Sequence, residues 1–460
     1  MQTFTLEDIV NLQNQGKFKE AEQLYNTCLE KHPDDWAVLY HLAGLFMLTD
    51  RNGLAAMTLE RALDIEKGRY EVYSNLGVLY RTLDMYSRSR PLLERAVKLA
   101  AGKDADVYVN LGSLFVNDGG PERGEEILRS GYAISPENHL VNWNLSLCLL
   151  EQGKWKDGWE CYAHGKYPHK ERERSERPLR WANFPEWDKE KSRVLVYGEQ
   201  GLGDEIMFYS MLPDIQQDAE SVLLECHPRL ENIAKRSFPD IEIVPTRKLD
   251  YLDKSLWFDH RIASGDLGRF YRNKIEDFPG TPYLKVDPDL VEHYRAKLEE
   301  CGDGPYYGIG WRGGYLKTRK SVRSINLETL EPILKQQGTF ISMQYDDKAD
   351  GEVEKYCEKT GLTIHHWPDV VRHQDYDHTA ALAMALDSVI CVNTSLVHLC
   401  GAIGASCWSL TPSRPAWRYQ IAGDMPWYNS VKLVRQLVPE SWDGPISEVC
   451  KLMQENANVN

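Results

Sequence analysis

The chain has 460 residues, with 54 lysines and arginines against 69 aspartates and glutamates, which gives a net charge of −15. This length allows two or three domains, each with its own hydrophobic core. The acidic balance opposes binding to nucleic acid or to an anionic membrane, because both are bound through positive charge.

The sequence contains neither an apolar run of the about 18 residues needed to span a bilayer nor the basic start and apolar core of a signal peptide. We therefore expect a cytoplasmic protein without a membrane span. The ten cysteines are scattered and show neither a C-x-x-C pair nor a Cys/His cluster at zinc spacing. We expect them to be small core residues rather than disulfide partners or metal ligands.

The first third of the chain carries an internal repeat. Similar segments begin at Tyr73, Tyr108 and Asn142, at spacings of 35 and 34 residues. In each unit the second predicted helix has a small residue near its middle, which would let two helices cross closely; these residues are Ala21, Ala55, Ser89, Gly124 and Gly158. Pro33 and Pro136 end two of the units, since proline cannot continue a helix. The pattern resembles the tetratricopeptide repeat, with about five copies over residues 1–168.

Such a repeat forms an all-α solenoid whose concave groove usually holds an extended peptide or a partner helix. Asn75, Asn110 and Asn144 have the same offset in successive units. They could line the groove and hydrogen-bond the backbone of an acceptor peptide, or they could brace the turns between helices. The sequence leaves both interpretations open.

The helical period ends before residues 169–190, which are charged and proline-containing and are predicted to be a linker. Short apolar runs then alternate with amphipathic helices, which predicts parallel, doubly wound sheets. The first series of predicted strands is Arg193–Gly198, Ser221–Cys226 and Ile241–Val244, with helices near 204–218 and 228–237. The second is Tyr306–Trp311, Thr339–Met343, Leu362–Ile364, Ser388–Val392 and Ser406–Leu410. We expect two Rossmann-like halves, 191–300 and 301–460, that face each other across a cleft, and a C-terminal helix over Ser441–Glu455.

A glycine-rich string, Tyr197-Gly-Glu-Gln-Gly-Leu-Gly-Asp204, follows the first strand of the first half, where ligands gather in such folds. It lacks the third glycine of a dinucleotide fingerprint, because Ile206 stands there, and it lacks the Gly-Lys-Ser/Thr of a P-loop. Asp204 has two possible roles. It could simply cap the helix, or it could face the cleft as a general base.

A second string, Val392 to Gly404, follows a strand of the second half and opens a helix. Thr394, Ser395 and His398 share one helical face, so their polar ends could reach a pyrophosphate at the helix start. A histidine in an apolar helix is more often a satisfied core residue. The neighbouring hydroxyls and the helix N-terminus favour a role in binding.

Five cations lie between Arg312 and Arg323, including Lys317, on a glycine-containing loop. Such a loop is either simply solvated or a clamp for a diphosphate leaving group. We interpret neither Asp250–Asp253 nor Asp375–Asp377 as a metal site, so we expect no metal and no cofactor beyond a nucleotide-sugar co-substrate.

The order of these motifs from about Trp155 to Gln436 resembles the bacterial tetratricopeptide-repeat glycosyltransferases, whose catalytic part is similar to heptosyltransferases and more distantly to O-linked N-acetylglucosamine transferases. The resemblance rests on the strings Gly153–Trp159, Gly198–Asp204, Gly308–Gly313, Arg323-Ser324, Ser342–Gln344, Thr379–Leu382, Leu386-Asp387, Thr394–Gly404 and Trp417-Arg418. It implies a GT-B fold and inverting, metal-independent transfer from a nucleotide sugar, with Asp204 as the base. The predicted donor-binding residues are Gly203, Trp311, Arg312, Lys317, Arg323, Gln344, Thr379, Asn393, Thr394, Ser395 and His398.

The sequence departs from that family at Asn393 and His378, where the family usually has aspartate. Three hypotheses follow. The chain is a glycosyltransferase acting on a protein docked by the repeats, or the same enzyme acting on a polysaccharide or lipid-linked glycan, or a scaffold with an inactive transferase domain. The retained Asp204, His398 and basic loop favour the first two.

Overall fold

The computed structural model describes residues 4–165, 184–198, 201–245, 257–313, 322–373 and 375–457. They form two compact units. The first contains the described residues up to Cys148 together with His164 and Gly165, and the second contains Leu149–Ala163 and the described residues from 184 onward. None of the described helices combines the length and the apolar character that a membrane crossing requires.

Antiparallel helix pairs build the N-terminal region, as the repeat predicts. The helices are α1 Leu6–Asn14, α2 Phe18–Lys31, α3 Trp36–Leu48, α4 Asn52–Ile65, α5 Tyr70–Thr82, α6 Tyr86–Ala100, α7 Asp106–Asn117, α8 Pro121–Ile134, α9 His139–Glu151 and α10 Trp155–His164. The predicted small residues lie where the paired helices touch. A Cβ atom added at Gly124 would lie 2.6 Å from Val116 Cγ2, and one at Gly112 would lie 2.6 Å from Leu128 Cγ. Close helix crossing is therefore confirmed at Gly124, and Gly112 of the facing helix allows the same approach.

Two fully parallel sheets organise the second unit. The strands are β1 Arg193–Tyr197, β2 Ser221–Glu225, β3 Glu242–Val244, β4 His260–Ala263, β5 Tyr306–Gly310, β6 Thr339–Ser342, β7 His365–His366, β8 Ser388–Val392, β9 Cys407–Thr411 and β10 Val431–Arg435. The first sheet has the order β3-β2-β1-β4, and the second has the order β10-β9-β8-β5-β6-β7. Both orders are those of doubly wound sheets, in which ligands bind at the carboxyl ends of the strands.

Helices connect these strands and cover the sheets. They are α11 Leu202–Phe208, α12 Leu212–Asp218, α13 Glu231–Ser237, α14 Gly268–Tyr271, α15 Pro288–Glu299, α16 Leu327–Leu334, α17 Lys348–Thr360, α18 Pro368–Val371, α19 Asp377–Ala385, α20 Ser395–Ile403 and α21 Asp443–Ala457. The sequence missed β4 and β10 and placed β7 a few residues early. The expected C-terminal helix exists as α21, and it packs on the second sheet through Ile446, Val449 and Met453.

The aromatic side chains of α10 explain why the compact second unit begins before the predicted boundary at residue 168. Trp155 packs against Phe278 with the ring planes tilted and the ring centroids 4.5 Å apart. Trp159 is fully buried and contacts Phe208 and Trp417 at centroid distances of 6.4 and 5.6 Å. The second helix of the last repeat is therefore part of the core of the sheet-containing unit. Much of the predicted linker 169–190 lies outside the described residues.

All ten cysteines are free, and five of them are buried. Cys391 and Cys407 lie on neighbouring strands of the second sheet, with their sulfur atoms 3.8 Å apart. The five buried thiols act as small core groups, as the sequence predicts, and the other five are partly exposed.

Candidate active site

A cavity of about 480 Å³ lies between the two sheets of the second unit. From the side of the first sheet it is lined by residues 201–204 and by His227 and Arg229, which follow β1 and β2. The second sheet contributes Arg312, Arg323, Gln344, Thr379, Thr394, Ser395, His398 and Arg418, among others. The two glycine-containing strings singled out in the sequence therefore meet at one cavity, whose size is typical of small-ligand sites.

The N-termini of α11 and α20 meet at this cavity. A Cβ atom on Gly203 would lie 3.1 Å from both Ser395 Cα and His398 Cδ2, so the glycine lets the two helices approach closely without crowding. Thr394 caps α20 through its hydroxyl, which accepts a hydrogen bond from the Leu396 N–H at 3.3 Å. The start of α20 consequently directs backbone N–H groups and the positive end of a helix dipole toward the cavity, an arrangement suited to an anion.

Asp204 both caps α11 and faces the cavity. Its Oδ2 accepts a hydrogen bond from the Gly201 N–H at 3.2 Å, while its Oδ1 accepts one from Arg418. The side chains of Asp204 and Arg418 are each 15% exposed. The two roles considered for Asp204 are thus compatible, because the carboxylate that caps the helix also lines the cavity.

Arginine is the dominant charge of the cavity lining. Arg229, Arg312, Arg323 and Arg418 line it, and among the residues that the structure describes Asp204 is the carboxylate that faces them. Arg312 is held in place by Asp346 and Glu352, each at 2.8 Å.

Arg229 and Arg323 make other contacts at the cavity wall. Arg229 lies over the ring of Tyr376 at 4.5 Å and donates to the His373 carbonyl oxygen at 3.1 Å. Burial lowers the pKa of Arg323, so desolvation makes its charge costly to hold at the cavity wall. An anionic ligand would offset this cost.

Gln344 and Trp311 support the site without offering their side-chain polar groups to a ligand. The amide oxygen of Gln344 accepts the N–H groups of Trp311 and Arg312 at 3.1 and 3.0 Å, and its amide nitrogen donates to the Arg312 carbonyl oxygen and to Asp346. Gln344 therefore fixes the backbone at the start of the basic loop. The Trp311 side chain is fully buried in the hydrophobic core of the second sheet and is not among the residues that line the cavity.

His398 lines the cavity but its ring nitrogens are occupied. Nδ1 lies 3.2 Å from the Tyr428 hydroxyl and Nε2 lies 3.1 Å from the Tyr419 hydroxyl. Burial, with a smaller effect of the Arg418 charge, holds the pKa of His398 well below its ordinary value of 6.5. The imidazole is neutral and orients two tyrosines. The expectation that it contacts a pyrophosphate with a polar ring atom does not fit these contacts.

Three predicted site residues remain to be placed: Thr379, Asn393 and Lys317. Thr379 lines the cavity and is mostly buried. Asn393 is buried and does not line the cavity. Its Oδ1 accepts hydrogen bonds from Ser409 and Thr411 at 2.8 and 3.1 Å. Asn393 is therefore a structural residue at the ends of β8 and β9. Lys317 lies outside the described residues.

The three asparagines of the repeat region connect successive repeats. Asn110 Nδ2 donates to Ser74 Oγ at 2.9 Å, and Ser113 Oγ donates to Asn144 Oδ1 at 2.8 Å. Asn75 hydrogen-bonds the Tyr40 side chain in the same way. All three are half-buried. These contacts favour the bracing role over a role limited to peptide binding.

Trp417-Arg418 is one of the strings that carry the family resemblance, but neither Arg229 nor Arg418 was predicted to be a site residue. Arg229 lies just after β2, so the rule that ligands gather at the carboxyl ends of parallel strands could have indicated it. Arg418 lies in the short helical turn Trp417–Tyr419 after β9. Its role depends on a contact with Asp204, which is more than two hundred residues away in the sequence. Local sequence carries no signal for such a contact.

Comparisons with known proteins support the repeat region most directly. Residues 10–70 and 70–102 match tetratricopeptide repeat families. Over 447 residues the chain is 27% identical to protein FlbA of Caulobacter vibrioides, covering 92% of this chain and 74% of that protein. It is also 26% identical to the BBSome complex member BBS4 of Mus musculus over 137 residues, which are 30% of this chain and 26% of that protein. The chain contains tetratricopeptide repeats.

Among solved structures, MamA matches 38% of this chain and 100% of its own length, at 18% identity and a TM-score of 0.32. A repeat protein with an unusual peptide-binding site, YrrB, matches 35% of this chain and 82% of its own length, at 16% identity and a TM-score of 0.30.

Proposed function

We propose that the chain is an inverting glycosyltransferase of the GT-B type that moves a sugar from a nucleotide-activated donor to an acceptor. The observation that carries the proposal is the cavity between two parallel sheets, where Asp204 faces the N-terminus of α20 and four arginines. A nucleotide sugar needs a site for a diphosphate, and a transfer needs a base. This cavity offers both within one small volume.

The proposed reaction is a single displacement. A hydroxyl oxygen of the acceptor attacks the anomeric carbon, the bond from that carbon to the diphosphate oxygen breaks, and Asp204 takes the hydroxyl proton. The negative charge that develops on the nucleoside diphosphate is stabilised by arginine side chains and by the N–H groups at the start of α20. Arg418 donates a hydrogen bond to Asp204 and lines the cavity. In this proposal its guanidinium group orients the base and stabilises the charge of the leaving diphosphate.

The two departures from the related enzymes do not remove charge from the cavity. The side chain of Asn393 is buried and bonded to Ser409 and Thr411, and His378 is bonded to Tyr294; neither is among the lining residues. This favours an active enzyme over an inactive scaffold. The repeats favour a protein acceptor, since repeat solenoids commonly bind peptides.

The test is incubation of the full chain with a panel of nucleoside diphosphate sugars, measured as release of the nucleoside diphosphate and as a thermal shift. We expect one donor class to raise the melting temperature and to release nucleotide, faster when acceptor is present. Asp204→Asn should release nucleotide more slowly than the native chain. Its matched control is Asp289→Asn, which changes an exposed carboxylate of α15 and should release nucleotide as the native chain does. A panel without any stabilising or hydrolysed donor would contradict the proposal.

A further inference from the structure

Three side chains with metal-binding atoms come together where α18 leads into α19. His373, Asp375 and His378 each offer one ligand atom, and these atoms all lie within 4.8 Å of one another. Within the part of the chain that the structure describes, this is the one group of three or more His, Cys, Asp or Glu side chains that meets this criterion. All three are half-buried, so an ion could enter from solvent.

The spacing suits a tetrahedral ion. Bonds of about 2.0–2.2 Å from a zinc ion to nitrogen and oxygen place neighbouring ligand atoms about 3.4 Å apart. His373 Nδ1 lies 3.3 Å from Asp375 Oδ1. The same nitrogen accepts a long hydrogen bond from the Asp375 N–H, also at 3.3 Å, which an ion bound to this nitrogen would replace. The two imidazole rings lie beside each other, with centroids 4.1 Å apart.

The surrounding residues orient the ligands as supporting residues do in known metal sites. The Tyr294 hydroxyl lies 2.8 Å from His378 Nδ1, which leaves Nε2 of that ring available to an ion. The hydroxyl oxygen of Tyr294 can accept the Nδ1–H at this distance. A metal-bound histidine nearly always gives its other ring N–H to such a partner.

The carboxylate of the group is also supported. Asp375 Oδ1 accepts the Asp377 N–H at 3.1 Å, and Oδ2 accepts a longer hydrogen bond from Asn232 at 3.4 Å. Each bond fixes the direction of the carboxylate without using all its lone pairs.

We propose that His373, Asp375 and His378 bind a divalent transition-metal ion of the zinc class, with water completing the coordination. Two imidazoles and one carboxylate are ligands that zinc and its neighbours prefer, whereas calcium and magnesium prefer sites made of oxygen alone. The site is separate from Asp204, and the proposed transfer reaction does not use it.

The ion would stabilise the segment 373–378, which belongs to the half with the second sheet and makes hydrogen bonds to residues of the half with the first sheet. Arg236 of α13 makes two hydrogen bonds to Asp377, at 2.9 and 2.7 Å. The Tyr376 N–H donates to the Arg229 carbonyl oxygen at 2.9 Å, and Arg229 donates to the His373 carbonyl oxygen. Metal binding would therefore fix the position of Arg229 and Tyr376, both of which line the cavity.

The experiment uses the full chain without an affinity tag, stripped with a chelator and titrated with Co²⁺ alone and with Zn²⁺ alone. Calorimetry gives the stoichiometry, and the visible absorption of Co²⁺ reports its coordination. We expect one ion per chain, displacement of Co²⁺ by Zn²⁺, and a higher melting temperature with Zn²⁺. His373→Gln and His378→Gln should each weaken binding by at least about tenfold, and Tyr294→Phe by about tenfold or more.

His293→Gln is the matched control, because it removes an exposed imidazole next to Tyr294 without touching the group. It should bind Co²⁺ as the native chain does. The melting temperature of each stripped variant shows whether it is folded. The proposal is overturned if the native chain binds Co²⁺ no more tightly than a folded His373→Gln/His378→Gln double variant, or if His293→Gln weakens binding as much as the other changes.

Discussion

Asp204→Asn should nearly abolish transfer, because an amide cannot take the proton of the acceptor hydroxyl. A general base contributes about 10² to 10⁴ in rate, and we expect a loss of that size. The cap of α11 should survive, since the amide oxygen of asparagine can still accept the Gly201 N–H. The change therefore separates the role of Asp204 as a base from its role as a cap.

The same change also removes the partner of a largely buried cation, so stability should fall as well. Breaking a buried ion pair costs about 3–5 kcal/mol, whereas an exposed pair is worth about 0–1 kcal/mol. With each side chain 15% exposed, we expect the free energy of unfolding to drop by about 1–3 kcal/mol. Arg418→Gln in the Asp204→Asn background should then cost less than in the native chain.

The assay is single-turnover release of nucleoside diphosphate with a donor identified from the panel, together with urea unfolding of both single variants and the double variant. Asp289→Asn should match the native chain in both measurements. The assignment of the base is refuted if Asp204→Asn keeps more than about a tenth of native transfer. Additive effects of the two changes on unfolding would refute the coupling between Asp204 and Arg418.

Three further changes test the packing and charge around the cavity. Gly203→Ala should cost about 1–3 kcal/mol and weaken nucleotide binding, because the new methyl group meets the backbone of Ser395; unchanged urea unfolding would contradict the close helix approach. Gly268→Ala should destabilise the sheet-containing unit by a similar amount, because its Cβ would lie 2.5 Å from the Trp159 ring; an unchanged melting temperature would show that this contact is not tight. The unfolded chain protonates His398 near pH 6.5 while the folded chain does not, so folded stability is full above that pH and falls on acidification, by up to about 1.4 kcal/mol per pH unit. Urea unfolding from pH 7 to pH 5 should show a smaller loss in His398→Gln than in the native chain, and equal losses would contradict a buried neutral His398.

The sequence predicts most of the fold because its periodicities are local. The 34-residue repeat and the alternation of apolar runs with helices depend on side-chain patterns within one or two elements. The strand β4 was missed because His260–Ala263 is short and two of its four residues carry basic side chains. The buried Arg261 is satisfied there by the Phe184 carbonyl oxygen and the Tyr197 hydroxyl, contacts that no local pattern reveals.

The candidate site was predictable only in part, for a similar reason. The helix starts at Gly201 and Thr394 are marked by glycines and a capping hydroxyl, which are local signals. The hydrogen-bond partners of the His398 ring nitrogens are the hydroxyls of Tyr419 and Tyr428, which only the tertiary fold brings near. From the sequence alone, a histidine that binds the donor cannot be distinguished from a buried histidine that hydrogen-bonds two tyrosines, as His398 does.

Binding of a nucleoside diphosphate to the cavity is the most direct test of the account. Calorimetry on the full chain with a panel of nucleoside diphosphates, in the presence of a chelator, should give one bound ligand per chain. Arg323→Gln should weaken binding by about 10-fold to 100-fold, the value of a hydrogen bond to a charged group. Arg295→Gln, which changes an exposed arginine of α15, should leave the affinity unchanged. A chain that binds none of these nucleotides, or that binds one equally well after Arg323→Gln, would contradict the assignment of the cavity.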